Sequence, residues 1–519
     1  MINAHIYTVD SYFSEAEAFA VKDGNFIEVG TNEEILANYQ SEQVVDAEDA
    51  PVYPGLYDGH AHFVGLGDKF ATADLVGSES WEEVVERISE FARKHPEAQW
   101  IRGRGWDQNN WERQDFPTNA ALNSLVPDKP IFLTRIDGHA AIANKKALAL
   151  AGINSVTDIQ GGKIIRANGK PTGVLIDKAM ERVEEVIPEP SALELEQQLM
   201  AAQKVCLEQG LTSVVDAGLT RSKIEAIDKL HEEGKLKIRI YAMIDPKSKG
   251  YFLEKGPIKT DRLNVRSFKI YADGALGSRG AALLSPYSDD PDNHGLLLSP
   301  PSELRELMEE AHEKGFQVNT HCIGDSANRL VLDMYGDILG ENNGFRWRIE
   351  HAQIVDSADI AKYGKYRIIP SVQPTHCTSD MYWADERLGE ERIKQAYIFK
   401  ELMQQNDLIV FGTDFPVEEV SPFYTFHAAV ARKDAEGYPE GGFQMENSVS
   451  RKNTLKAMTA WPAFSCFEED ERGSIEAGKM ADFILLDRDL MQVGQDSLRD
   501  TKVLQSYIGG ELVFQKEGN

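Results

Sequence analysis

The sequence predicts an α/β protein whose main body is a closed (β/α)8 barrel. Three observations predict it: short β-branched or apolar runs recur along the chain, helix-like segments separate most of them, and polar residues gather where the runs end. Alternating strand and helix implies a parallel sheet, and eight such units suggest closure into a TIM-type cylinder.

The runs, in order, are G-L-Y-D-G-H (55–60), L-T-S-V-V-D-A-G (211–218), I-R-I-Y-A-M-I (238–244) and F-K-I-Y-A-D-G (268–274). They continue with F-Q-V-N-T-H (316–321), W-R-I-E-H-A-Q (347–353), I-I-P-S-V-Q-P (368–374) and L-I-V-F-G-T-D (408–414). Segments rich in Ala, Glu, Leu and Lys at 191–209, 222–234, 302–314, 326–339, 356–363 and 390–405 are the expected helices. An open, doubly wound sheet would call for a glycine-rich phosphate loop after its first strand, and the sequence carries none there.

Two stretches depart from the repeat. About 150 residues separate the first two runs, far too many for one helix and loop. They hold strand-like W-I-R-G-R-G-W-D (100–107) and P-I-F-L-T-R-I-D-G (130–138), then a hairpin candidate at 161–174. We read about 72–190 as an insertion after the first barrel strand, inside a barrel domain of 54–465. Both ends also read as β-rich: 5–30 in front, 481–487 and 503–514 behind. Neither end can bury a sheet face alone, so 1–53 and 466–519 are expected to pair as one small β-sandwich domain.

Of the 519 residues, 42% are hydrophobic and 27% charged, which is a globular composition with length enough for a large core. The balance 55 − 84 = −29 disfavours nucleic acid or an anionic membrane as partner, because phosphate binding needs a basic surface. The expected partner is a small-molecule substrate, and assembly as a homodimer stays open. Four separated cysteines, Cys206, Cys322, Cys377 and Cys466, form no C-x-x-C pair and read as reduced thiols. No run suits a membrane span. The chain starts almost inside a strand-like run, I-N-A-H-I-Y-T-V-D, so the expected compartment is the cytoplasm, or the periplasm if an export signal has been trimmed.

Active sites of this fold sit at the C-terminal ends of the barrel strands. Those ends carry His60 and His62, then Lys269, His321, His351 and Asp414. His60 and His62 share one face of a strand, since side chains alternate with period 2. Four imidazoles and a carboxylate suit Zn²⁺, which accepts both donor types at about 2.0–2.2 Å. An ammonium would repel the cation. A desolvated lysine, however, can react as a free amine, and its carbamate with carbon dioxide is a bidentate anion able to bridge two metals.

In these stretches the chain resembles the metal-dependent amidohydrolase superfamily, and within it amidohydrolase family 3, the group that resembles N-substituted formamide deformylase. The matching stretches are P-G-L-Y-D-G-H-A-H, F-K-I-Y-A-D-G-A-L-G-S-R, H-C-I-G-D, R-I-E-H-A-Q, V-Q-P-T-H-C-T-S-D and G-T-D-F-P-V. A late G-S-I-E-A-G-K-M-A-D-F-I-L-L-D (473–487) is similar to the superfamily's return strand into its small β domain. The resemblance implies two zinc ions: His60, His62 and Asp414 on one, His321 and His351 on the other, carboxylated Lys269 between them. It also implies that Asp414 shuttles protons. Mononuclear deaminases of the superfamily typically carry a glutamate soon after the fifth-strand histidine. H-C-I-G-D has Asp325 instead, which with Lys269 favours the binuclear hydrolases.

The implied reaction is hydrolysis of a non-peptide, amide-type C–N bond by a hydroxide bridging the two metals, with Asp414 moving its proton to the leaving nitrogen. The alternatives are an aminohydrolase (deaminase) of a cyclic C=N group, and a catalytically inactive barrel used for binding or assembly. Candidate substrate contacts are Gln373 and His376 near the seventh strand end, with Trp106, Asp107 and His139 in the insertion. Asp325 is expected to cap the helix after strand 5, and Cys322 to point out of the barrel.

Overall fold

The computed structural model describes residues 1–108, 111–136, 138, 140–159 and 162–517. Its largest sheet contains eight parallel strands that follow one another in chain order. They are β1 (Leu56–Ala61), β2 (Leu211–Leu219), β3 (Arg239–Ile244), β4 (Leu263–Tyr271), β5 (Gln317–Cys322), β6 (Arg348–His351), β7 (Ile369–Val372) and β8 (Val410–Phe411). Each falls within, or overlaps, one of the eight predicted runs. A short strand, Ile258–Lys259, adds an antiparallel pairing to β4.

The cylinder is nearly closed. No ladder pairs β8 with β1, but the chain just past β8 hydrogen-bonds across the gap: Asp414 N donates to His60 O and His62 N to Phe415 O, both at 2.8 Å. Asp58 ties the same seam, accepting Thr413 N at 3.1 Å and Thr413 Oγ1 at 2.7 Å. Two glycines permit the approach. A Cβ on Gly412 would stand 2.4 Å from His60 N, and one on Gly59 2.7 Å from Phe411 O. Gly59, beside the first histidine pair, therefore answers to the seam.

Helices flank the strands much as expected: Arg221–Glu232 after β2, Pro301–Glu313 before β5, Asp325–Leu339 after β5. In the first, Ile224, Ile227 and Leu230 form the buried stripe that a helical period of 3.6 places on one face. Two expectations need correcting. The single helix predicted at 390–405 is broken: the helix ends at Arg392, a 3-10 turn covers Ile393–Gln395, and Ala396 turns extended to bridge Ile354; a helix resumes only at Phe399–Asn406. Nor is Asp325 the cap residue. Gly324 holds that position, where a Cβ would lie 1.9 Å from Ala282 O. Asp325 is the first helical residue, and its carboxylate accepts Leu284 N at 2.8 Å and Ser326 N at 2.9 Å.

Strands from both ends of the chain share a six-stranded sheet, in the order Glu15–Ala16, His5–Tyr7, Pro51–Pro54, Phe483–Leu486, Val503–Ile508, Glu511–Gln515. A hairpin, Ala18–Lys22 with Asn25–Gly30, joins its core: Ile6, Phe19, Phe26, Val52, Phe483 and Tyr507 form one buried cluster. Where this sheet meets the barrel, Arg239 at the start of β3 grips Asp482 through two bonds of 2.6 and 2.9 Å, both side chains being 5% exposed. Arg239→Met leaves the Asp482 charge buried without its partner, so a loss of about 3–5 kcal/mol is expected. Denaturant titration of the two proteins measures it.

Residues 65–201 form a second compact unit. It has its own six-stranded sheet, in the order Gly162–Ala167, Lys170–Asp177, Ala140–Ala143, Ile131–Arg135, Ile101–Trp106, Ala73–Asp74. The first two strands are the predicted hairpin. Among the described residues, no helix is long and apolar enough to cross a membrane. All four cysteines are free and buried, Cys322 among them.

Candidate metal centre

Every candidate ligand comes from the end of a barrel strand or the residues just beyond it. His60 is the last residue but one of β1 and His62 follows the strand; Lys269 lies two residues before the end of β4; His321 is the last residue but one of β5, and His351 ends β6. In register, Tyr271 of β4 pairs with His321, which in turn pairs with Glu350. Two candidate ligands sit in the left-handed backbone region, His351 at φ 72° and Asp414 at φ 59°. Ordinary residues persist there when their surroundings over-determine them, a condition met most often at functional sites.

The structure brings the predicted six into one cluster. His60 Nε2 is 3.2 Å from Lys269 Nζ and 3.6 Å from Asp414 Oδ1, and His62 Nε2 is 3.2 Å from the same oxygen. The ring centroids of His60 and His351 are 4.9 Å apart, those of His321 and His351 4.5 Å. His60, His62 and Asp414 bring their donor atoms close enough to share a cation. A second such trio is His351, His376 and Asp414, with His376 Nε2 3.8 Å from Asp414 Oδ2. The sequence pointed to His376 as a substrate contact near the seventh strand end. It stands on a short helix, Pro374–Asp380, whose first turn carries it back toward the ligands.

Hydrogen bonding decides which nitrogen of each ring faces the cluster. His60 Nδ1 meets Glu350 Oε2 at 2.5 Å, His62 Nδ1 meets Ala217 O at 3.2 Å, and His351 Nδ1 meets Gln373 Oε1 at 2.7 Å. All three partners only accept, so each ring carries its proton on Nδ1 and presents a bare Nε2 inward. Asp414 Oδ1, His321 Nε2 and His376 Nε2 are likewise buried with no hydrogen-bond partner. Apart from the Lys269 amine beside His60 Nε2, these lone pairs face one another without a proton donor between them, which suits a cation. The residues present fit a metal.

The charge states agree. Burial, then the Lys269 ammonium, pushes His60 down to about 4 and His321 to about 3. Burial, then His321, takes His351 well below its usual value. Burial also lowers the Lys269 amine. Burial alone would raise the Asp414 carboxyl, but the surrounding imidazoles, His62 first, outweigh it and hold it well below the usual range. Neutral rings, an ionised carboxylate and a softened amine are the forms that bind metal.

Two buried residues escaped the sequence analysis. Glu350 lies beneath His60, and Arg348 grips it through bonds of 2.7 and 2.9 Å. The signal was present in R-I-E-H: charges two apart on a buried strand share a face and must meet inside the barrel. Of the other candidate contacts, Gln373 is 2% exposed and leaves its amide nitrogen unpartnered. Trp106 and Asp107 belong to the unit 65–201. There Trp106 is fully buried and donates Nε1–H to Leu133 O at 2.9 Å, while Asp107 accepts Arg135 at 2.9 Å. His139 lies outside the described residues.

Residues 43–514 match the amidohydrolase family. The chain belongs to that family. Among its relatives, this amidohydrolase is 32% identical to YtcJ of Bacillus subtilis (strain 168), over 98% of each chain. It is 28% identical to the N-substituted formamide deformylase of Arthrobacter pascens, over 100% of this chain and 98% of the other. A metal-dependent hydrolase of Pyrococcus horikoshii OT3 shares the fold at TM-score 0.82 and 30% identity, covering 95% of this chain and 98% of that one.

Proposed function

We propose that this amidohydrolase cleaves a non-peptide, amide-type C–N bond, using zinc held by His60, His62, His321, His351 and Asp414 with carboxylated Lys269 between two ions. One observation carries the proposal: the Nε2 atoms of His60, His62 and His376 gather around the Asp414 carboxylate, with the Lys269 amine the one proton donor beside them among the described residues. When bound, the metal pair would acidify a shared water and polarise the scissile carbonyl. His376 stands ready to complete the second position beside His351.

The chain's own residues account for the proton traffic. Asp414, kept ionised by its imidazole neighbours, takes the proton of the attacking water on a carboxylate oxygen. It then delivers that proton to the leaving nitrogen, so that water and amide become acid and amine. The unpartnered Gln373 amide offers an N–H to a substrate oxygen while its own oxygen orients His351. An uncarboxylated Lys269 would offer an N–H to the Nε2 lone pair of His60, 3.2 Å away, and so compete with a cation. Reaction of the amine with carbon dioxide, releasing a proton, replaces that competitor with an anionic ligand. Asn319, the register partner of Lys269 on β5, is buried with an unpartnered Nδ2 that could donate an N–H to such an anion. The sheet built from both chain ends fits a small β-sandwich domain, and residues 65–201 fit an insertion after β1.

The substrate class follows from what the chemistry needs and from the named activity of the Arthrobacter relative: N-formyl and other N-acyl amines, N-acyl amino acids and cyclic amides. A screen over these with zinc-loaded protein is expected to yield an amine and an acid. Thorough chelation should lower the rate by at least about a hundredfold, and added zinc should restore it. Full activity in metal-free protein would defeat the proposal, and ammonia released from a ring would make the chain a deaminase.

A further inference from the structure

His60 is backed differently from the other rings with assigned partners. His62 and His351 give their Nδ1 protons to neutral acceptors, the Ala217 carbonyl and the Gln373 amide oxygen. His60 instead meets the Glu350 carboxylate at 2.5 Å, and the side chains of His60, Glu350 and Arg348 are all completely buried. Arg348 holds Glu350 by two bonds and directs further N–H groups to Gly59 O at 2.6 Å, Ser371 Oγ at 2.7 Å and Ser465 Oγ at 3.3 Å. It thereby locks the carboxylate to β1 and β7 as well as to its own strand.

The charges explain the arrangement. A lone carboxylate at this depth would be strongly penalised and would draw a full positive charge onto His60. A doubly protonated ring has no lone pair left for a metal. With the guanidinium in place the carboxylate is already balanced. His60 then needs to give it only the Nδ1 proton of a neutral ring. An anion behind Nδ1 also makes the opposite nitrogen a stronger donor than a carbonyl or amide does.

We propose that Glu350, held as an anion by Arg348, is a positioning residue that fixes His60 as an Nε2 ligand and makes the His60–His62–Asp414 position the tighter of the two. The inference rests on the metal-dependent reading above. It is tested by zinc titration of the whole metal-free chain against a competing chelator, with the visible spectrum of the first cobalt equivalent as a second readout. Parent, Glu350→Gln and the double variant Glu350→Gln/Arg348→Met are compared; the double variant removes both buried charges together. The first zinc is expected to bind about 10–100-fold more weakly in both variants, with an altered first-equivalent cobalt spectrum. The metal-free double variant should unfold near the parent's midpoint, which a purely structural role for Glu350 would not combine with that loss. If the double variant does not fold, near-isosteric Glu350→Gln decides alone. First-zinc affinity within about twofold of the parent's in the deciding variant overturns the inference. A parent chain that takes up no zinc overturns the metal-dependent reading, and this inference with it, without any variant being made.

Discussion

Asp414→Asn is expected to lower turnover by at least about 10³-fold with zinc in excess. Two losses combine. The amide cannot accept a proton, so the transfer from water to leaving nitrogen has no carrier. The same substitution removes a negative charge from among the imidazoles, weakening the hold on metal. The shape is nearly unchanged, and Asp414 N still donates to His60 O across the seam, so the fold should persist. Steady-state rates measured at rising zinc separate the two losses. If saturating zinc returned full hydrolysis, Asp414 would be a ligand only, and the proton would travel by another route.

Lys269→Ala is expected to strip metal and activity together. The side chain is 1% exposed, with Nζ 3.2 Å from His60 Nε2. Truncation leaves a small cavity where the bridging anion is assigned. Bound zinc should fall to half the parent's content or less, and the rate by at least about a hundredfold. Formate, acetate or propionate at millimolar concentration should recover part of both, because a free carboxylate can occupy the vacated place. Recovery that rises with the anion and depends on its size supports the carbamate. A variant with full metal content and full activity would remove Lys269 from the site.

Much of this was legible in the sequence because the physics that makes a buried parallel strand also makes it readable. A strand covered on both faces becomes a continuous apolar run, as in I-Y-A-M-I or V-V-D-A-G, and its polar end then marks the barrel mouth. His60, His62, His321 and His351 were found in that way. Asp414 was found at the end of the shortest strand, because G-T-D breaks an apolar run with a carboxylate. Residues whose role is set by a distant partner were not legible. Nothing local says that Glu350 will meet His60 290 positions away. His376 was read as a substrate contact near the seventh strand end, because nothing local shows that Pro374 opens a helix that turns it toward the ligands. The break within 390–405 escaped for a related reason: the bridge from Ala396 to Ile354 pulls the chain out of a helix that its composition favours.

Because His60 and His62 leave the first strand and Asp414 the eighth, their trio exists only once the two ends of the cylinder have met. A chain emerging from the ribosome would carry the two imidazoles of that trio for some 350 residues before their carboxylate partner is made. On the proposed metal-dependent reading, capture at that position would be a late step in maturation. Zinc content should rise with completed molecules and not with nascent ones.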